Sequence, residues 1–242
     1  MSSLLFFVWF AVVAAAYGSI GLGGASGYLA LLAAVDAPPD VMRPTALVLS
    51  MLVSGIAAWR FGRAGYLSWP LLWPFLVGGV PAAFIGTNVD VPAGAYNQLV
   101  GMALVATATR LALRLDPNDS EIPRRLPVPV AVAVGAALGL FKGMVGVGAI
   151  YLGPILLLTR WATFRQTGAA TAAFIFITSA VSIAGQPSSL RDLPPVFPAW
   201  VVAVVLGGLV GSELSVRHFH RLVFRRVLAG ALLLTAWKLF VP

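Results

Sequence analysis

The chain has 242 residues, 60% of them hydrophobic and only 10% charged, with a net charge of +8 and a mean hydropathy of +0.93. A soluble domain is about 45–50% apolar and about 25% charged, so the shortage of charge excludes a soluble globular protein and leaves a polytopic membrane protein. The positive balance does not imply nucleic acid, because basic residues gather in the cytoplasmic loops of membrane proteins and no polar domain carries a nucleic-acid motif; the absence of cysteine excludes disulfides and thiolate metal sites.

A membrane helix needs about 20 mostly apolar residues. The first apolar piece, 3–17, has no basic run before it and passes straight into more membrane-compatible sequence, so it reads as a retained span rather than a cleaved signal. Next comes Gly18-Ser19-Ile20-Gly21-Leu22-Gly23-Gly24-Ala25-Ser26-Gly27, then a short apolar piece at 28–35. Glycine costs about 1 kcal/mol against alanine inside a helix, so this stretch breaks it. A break at membrane depth is tolerated only against protein or a watery cavity. Long apolar stretches follow at 44–59, 70–87 and 93–113.

The pattern then repeats. Residues 128–141 are apolar, Lys142-Gly143-Met144-Val145-Gly146-Val147-Gly148-Ala149 breaks the run, and 150–158 is the short return. Gly21-x-Gly23-Gly24 corresponds to Gly146-x-Gly148-Ala149, and Arg43-Pro44-Thr45 to Arg165-Gln166-Thr167, each expected to open a long helix. Gly78-Gly79 corresponds to Gly207-Gly208 in the next helix, within 199–216, and 222–241 is the last span. The expected fold is therefore all-α and polytopic: two inverted repeats, each a Gly-rich broken or re-entrant hairpin plus three full-length transmembrane helices. Residues 1–115 form the first repeat, 116–126 a cytoplasmic linker and 127–242 the second repeat.

Charge placement sets the expected orientation. With re-entrant hairpins, Arg60, Arg63, Arg110, Arg114, Arg124, Arg125, Arg160, Arg165 and the Arg217–Arg226 group fall on one side. Arg43, Arg191, Lys238, Asp36, Asp40, Asp90 and Asp192 fall on the other. The side rich in Lys and Arg is cytoplasmic, which leaves both termini outside. An odd number of crossings per half inverts the halves and directs attention to the bilayer midplane, where repeats of this kind hold their substrate.

The duplicated Gly turns, the Thr45 and Thr167 positions, the Trp59-Arg60-Phe61-Gly62-Arg63-Ala64-Gly65 exit and the following Trp69-Pro70 resemble the sulfite exporter TauE/SafE family of anion permeases over nearly the whole chain. The chain departs from that pattern at Ala30, where many members carry proline, at Ala149 in place of a third glycine, and at Lys142. The resemblance implies transport of sulfite, sulfonates or related organosulfur anions across a bacterial inner membrane.

The residues themselves suit an anion. Helix N-termini carry unpaired N–H groups and partial positive charge, and they bind anions readily. Ser19, Gly21, Gly23, Gly24, Ala25 and Ser26 supply one such end; Gly146, Gly148 and Ala149 supply its mate. The same glycines would also serve close helix packing alone. An unpaired charge at Lys142 costs from about 3 to above 10 kcal/mol in the bilayer centre, so this lysine either loses its charge, snorkels to an interface or meets the substrate as counter-charge. Arg43 and Arg165 would draw anions into two vestibules or serve as ordinary loop arginines; Thr45 and Thr167 would cap their helices or line the path. Glu213 has Arg217 one helical turn away as a structural partner. His218 and His220 lack a carboxylate cluster, so no metal site is expected.

The resulting expectation is a secondary transporter of a small anion, sulfite or an organosulfonate, working by alternating access, with no cofactor. Its partners are that anion, the lipid bilayer and, as an assembly open to it, a second copy in a homodimer. An anion channel of the same architecture is the nearest rival. A membrane-embedded enzyme lacks paired intramembrane acids or a nucleophile with a base, and a bare scaffold leaves Lys142 and the doubled turns without a role.

Overall fold

The structure, a computed structural model, describes residues 3–19, 21–112, 126–147 and 151–214. The expected last span at 222–241, the linker over 116–125, and Gly148 and Ala149 lie outside the described residues. In chain order the helices are α1 (Ser3–Gly18), α2 (Ala25–Ala33), α3 (Pro39–Arg63), α4 (Trp69–Thr87), α5 (Ala93–Ala112), α6 (Val128–Val145), α7 (Leu152–Leu158), α8 (Phe164–Gly185) and α9 (Phe197–Leu214). A 3₁₀ turn, Pro187–Asp192, joins α8 to α9.

Proline starts several of these helices. Pro39 opens α3, and Pro70 and Pro129 lie in the first turns of α4 and α6, where the missing N–H costs nothing. α8 opens on a capping box: the Gln166 N–H donates to Thr163 Oγ1, and the Thr163 N–H donates to Gln166 Oε1 at 3.2 Å. The expectation that Thr45 and Thr167 open their helices is therefore corrected. Both sit inside, because Pro38-Pro39 and Thr163 set the true starts.

α1 and α2 form a hairpin. α1 stops at Gly21, whose φ of 73° is left-handed. The Leu22 N–H reaches the Tyr17 carbonyl at 2.9 Å and the Gly21 N–H the Gly18 carbonyl, a complete Schellman ending. α2 then runs back along α1, with Gly27 against Val13 and Tyr17, and Tyr28 stacked on Phe10 at 5.6 Å. α6 ends in the simpler version: Gly146 has φ 86° and its N–H reaches the Lys142 carbonyl at 2.7 Å.

Three helix pairs build the body. α3 and α8 run antiparallel through the centre, with Ser50 Oγ and Ser179 Oγ 3.4 Å apart and Gly55 against Phe176. α4 and α6 run parallel and nearly touch backbone to backbone. A side-chain carbon added at Gly135, Gly139 or Gly143 would strike the carbonyls of Phe75, Gly79 and Ala83 in turn. α1 and α9 meet the same way, with Gly207 and Gly211 against the carbonyls of Ala11 and Ala15. Small residues at a four-residue spacing let helices approach this closely.

α3, α4, α6 and α8 are long and apolar enough to cross a membrane, and shorter apolar helices cover Phe6–Gly18 and Phe197–Glu213. Val77, Phe84, Ile85, Val202, Leu206 and Val210 are all at least half exposed, a surface suited to lipid rather than water. The described charges divide between the two ends of the bundle. Asp40, Arg43, Asp90 and Arg191 share the end where α3 starts and α4, α6 and α8 finish. Arg60 pairs with Glu213, and Arg165 donates to Tyr66, at the opposite end.

Candidate functional site

The first turn, Gly21 to Gly24, lies against the central pair. Gly21 packs on Gly168 of α8, and Gly23 on Ser50 of α3 and Ile175 of α8, about half-way along both helices. Gly24, φ 78°, caps α2 with no side-chain bond. Ser19 turns its hydroxyl back to the Ala16 carbonyl at 2.7 Å, and Ser26 Oγ is 2.9 Å from Tyr17 Oη. Both serine hydroxyls have protein partners, and Ser26 is buried. Ala25, at the first position of α2, is half-buried.

The second turn begins at Gly146, which packs against the backbone of Arg43 and the methyl of Ala46 on α3. Four residues back is Lys142, 1% exposed, whose Nζ has only a 3.5 Å contact to the Gly146 carbonyl. No carboxylate is in ion-pair reach of it among the described residues. The lysine does not snorkel to the surface. Its neighbour Gly143 packs against Ala83 and Thr87, so Lys142 lies level with the last turn of α4 rather than half-way along the bundle. Counting four residues back from Gly21 lands on Tyr17, also 1% exposed; the sequence reading passed over this uncharged counterpart of Lys142, although the spacing from each glycine would have revealed it.

Arg43 is half-buried. Its Nη2 donates to the Thr87 backbone carbonyl and to Thr87 Oγ1 at 2.8 Å, and Thr87 Oγ1 donates on to the Ser182 carbonyl at 3.1 Å. A guanidinium on the last carbonyl of α4 is also favoured by the helix dipole. This chain ties α3, α4 and α8 at one end. It borders a cavity of about 400 Å³ lined by Asp40, Arg43, Asp90, Tyr96, Met144 and Arg191 among others. Tyr96 of α5 donates to the Val145 carbonyl at 3.2 Å and so holds the end of α6 beside that cavity. Arg165, at the other end, is exposed, donates to Tyr66 Oη at 2.6 Å and lies over its ring. The structure thus puts Arg43 beside Lys142's turn and leaves Arg165 apart from both.

Thr45 and Thr167 are buried, 0% and 4% exposed, and their hydroxyls have no partner among the described residues. The same holds for Thr171, Ser182 and the Tyr28 hydroxyl, none of which the sequence singled out. Glu213 pairs with Arg60 at 2.8 Å across α3 and α9, while its expected partner Arg217 lies outside the described residues. Among the described residues, His, Asp and Glu do not gather into a group able to hold a metal ion.

Outward-facing apolar side chains on helices of crossing length define a polytopic integral membrane protein. The chain belongs to the Sulfite exporter TauE/SafE family, a family of membrane transporters, whose model matches residues 5–239. It is 35% identical over 234 residues to the "Probable membrane transporter protein y4hK" of Sinorhizobium fredii (strain NBRC 101917 / NGR234), covering 95% of each chain. No solved structure matches it.

Proposed function

We propose that the protein is a secondary transporter of a small oxyanion, sulfite or an organosulfonate, in a bacterial inner membrane. The observation that carries this reading is Lys142: a buried lysine with no carboxylate in ion-pair reach among the described residues, at the end of α6. A charge in that setting is tolerated when an anion completes it. The family supports a transported sulfur oxyanion.

Alternating access would follow from two inverted repeats, 1–115 and 127–242, and several observations support that division. Gly21 meets Gly168 while Gly146 meets Ala46, and the two contacts exchange when α3 is exchanged with α8. α4 packs parallel on α6 as α9 packs parallel on α1. The α1–α2 hairpin would then enter and leave on one side, with the Arg60 and Arg165 end cytoplasmic by the positive-inside rule.

Uptake of radiolabelled sulfite into proteoliposomes tests the reading, with sulfonates and carboxylates as competitors. Wild type is expected to take up sulfite in a saturable way with counter-exchange, which separates a carrier from a channel, and Lys142→Ala to lose it. Folded wild-type protein that moves none of these anions sinks the substrate assignment; a Lys142→Ala variant with wild-type flux sinks the role of the lysine.

A further inference from the structure

A serine or threonine inside a helix has a ready partner in the carbonyl one turn back. This protein uses that partner often. Thr178 donates to Phe174, Thr159 to Ile155 and Ser54 to Ser50, each at 2.6 Å. Thr167 and Thr171, on the same helix as Thr178, do not, and neither do they find another partner among the described residues. Leaving a buried hydroxyl unpaired forfeits its hydration with no return, so two such residues one turn apart call for a cause.

Their position supplies one. Gly21 packs on Gly168 and Gly23 on Ile175. Thr171 lies on the stripe between these contacts and Thr167 one turn before it, since residues three and four apart share a helix face. The unpartnered Tyr28 hydroxyl is at the same turn: a carbon built on Gly24 would lie 2.8 Å from it. Stacking on Phe10 at 5.6 Å fixes the Tyr28 ring. The turn also starts α2, whose glycine cap offers no side chain to the first N–H groups. Ser26 is already engaged with Tyr17.

We propose that the first turn is an oxyanion subsite of its own, in which Tyr28, Thr167 and Thr171 donate to a ligand seated at the N-terminus of α2. It is distinct from the cationic turn at Lys142 and holds its anion through neutral donors alone. Three hydroxyls beside free N–H groups suit a small anion with three acceptor oxygens, a sulfonate or sulfite, better than a carboxylate with two. All three side chains are buried, so the subsite is sealed in this conformation and opens as the carrier cycles. This inference deepens the transporter reading and rests on it for the ligand.

The test uses the purified full-length protein in detergent, with thermal unfolding followed against methanesulfonate and against acetate. Without ligand, Thr167→Val/Thr171→Val is expected to melt at or above wild type, because no bond is lost, while Thr178→Val melts lower. Methanesulfonate is expected to raise the wild-type Tm more than acetate does. The double valine variant should bind it about tenfold or more weakly, as two lost hydrogen bonds imply, and the double serine variant should recover binding. A double valine variant that melts well below wild type, or binds as tightly, overturns the subsite. If Lys142→Ala alone loses binding, the lysine reading survives and the subsite does not; if only the valine variant loses it, the reverse holds. Wild type that responds to neither methanesulfonate nor sulfite overturns both.

Discussion

The two glycine turns are the same device with different chemistry. Each stops its helix on a left-handed glycine, Gly21 or Gly146, and each lays that glycine on the early part of a central helix. Four residues before the glycine, one carries Tyr17, bonded to Ser26, and the other carries Lys142, almost without a partner. The two turns share their backbone geometry. Their charge differs, and a second buried lysine without a partner would carry a desolvation cost of its own. One turn thus holds a buried lysine and the other a buried tyrosine at the same place relative to its glycine.

That comparison can be broken in several ways. The largest expected effect is on transport: Lys142→Ala should cut sulfite flux by about a hundredfold, in line with removing one member of a buried charge pair, while Tyr17→Phe should leave it near wild type. Parallel flux measurements decide this, and equal losses would mean the two turns do the same job. Glycine replacements come next. Gly146→Ala forces a left-handed residue and should cost about 1–2 kcal/mol. Gly21→Ala adds a clash, because its new carbon would lie 2.7 Å from the Gly168 carbonyl where Gly146 has 3.5 Å to the Arg43 carbonyl, so about 1–3 kcal/mol more is expected from overpacking. Thermal unfolding in detergent should rank the two in that order.

Smaller still is Thr87→Val, which removes the Thr87 hydroxyl from both Arg43 and the Ser182 carbonyl and should cost about 1–3 kcal/mol. The same unfolding assay reads it, and a neutral result would show that the remaining backbone bond from Arg43 carries the tie. The smallest is Glu213→Gln. Its pair with Arg60 has side chains 30% and 66% exposed, so below about 1 kcal/mol is expected, and a larger Tm change would mean that this end is more tightly held than its exposure suggests.

Much of the helix map could be read from the sequence, because hydropathy marks where lipid-compatible segments lie. The stretches 70–87 and 199–216 correspond closely to α4 and α9. The starts of α3 and α8 were harder: the apolar run begins after Arg43 and Arg165, but the helices begin where a cap or proline permits. The signals were present in Pro38-Pro39 and in Thr163-x-x-Gln166, yet hydropathy does not weigh them. Of the candidate site, the breaking glycines and the isolated lysine stand out in one dimension. The bond from Arg43 to Thr87 joins residues 44 apart in sequence, and the idle hydroxyls of Thr167 and Thr171 differ from Thr178 only in what surrounds them. No local pattern contains either.

The backbone contact between α4 and α6 has a mechanical consequence. Where side chains mesh, two helices can shift slightly by changing rotamers. Where a carbonyl rests in the notch of a glycine three times over, at Gly135, Gly139 and Gly143, there is no rotamer to change. Sliding by one residue would drive Ala136, Leu140 or Met144 into the space the glycines leave. The two helices therefore travel as a single rod, and α1 with α9 as a second, so a large rearrangement falls on the contacts that α3 and α8 make with each other and with these rods, where hydroxyls and exchangeable side chains meet.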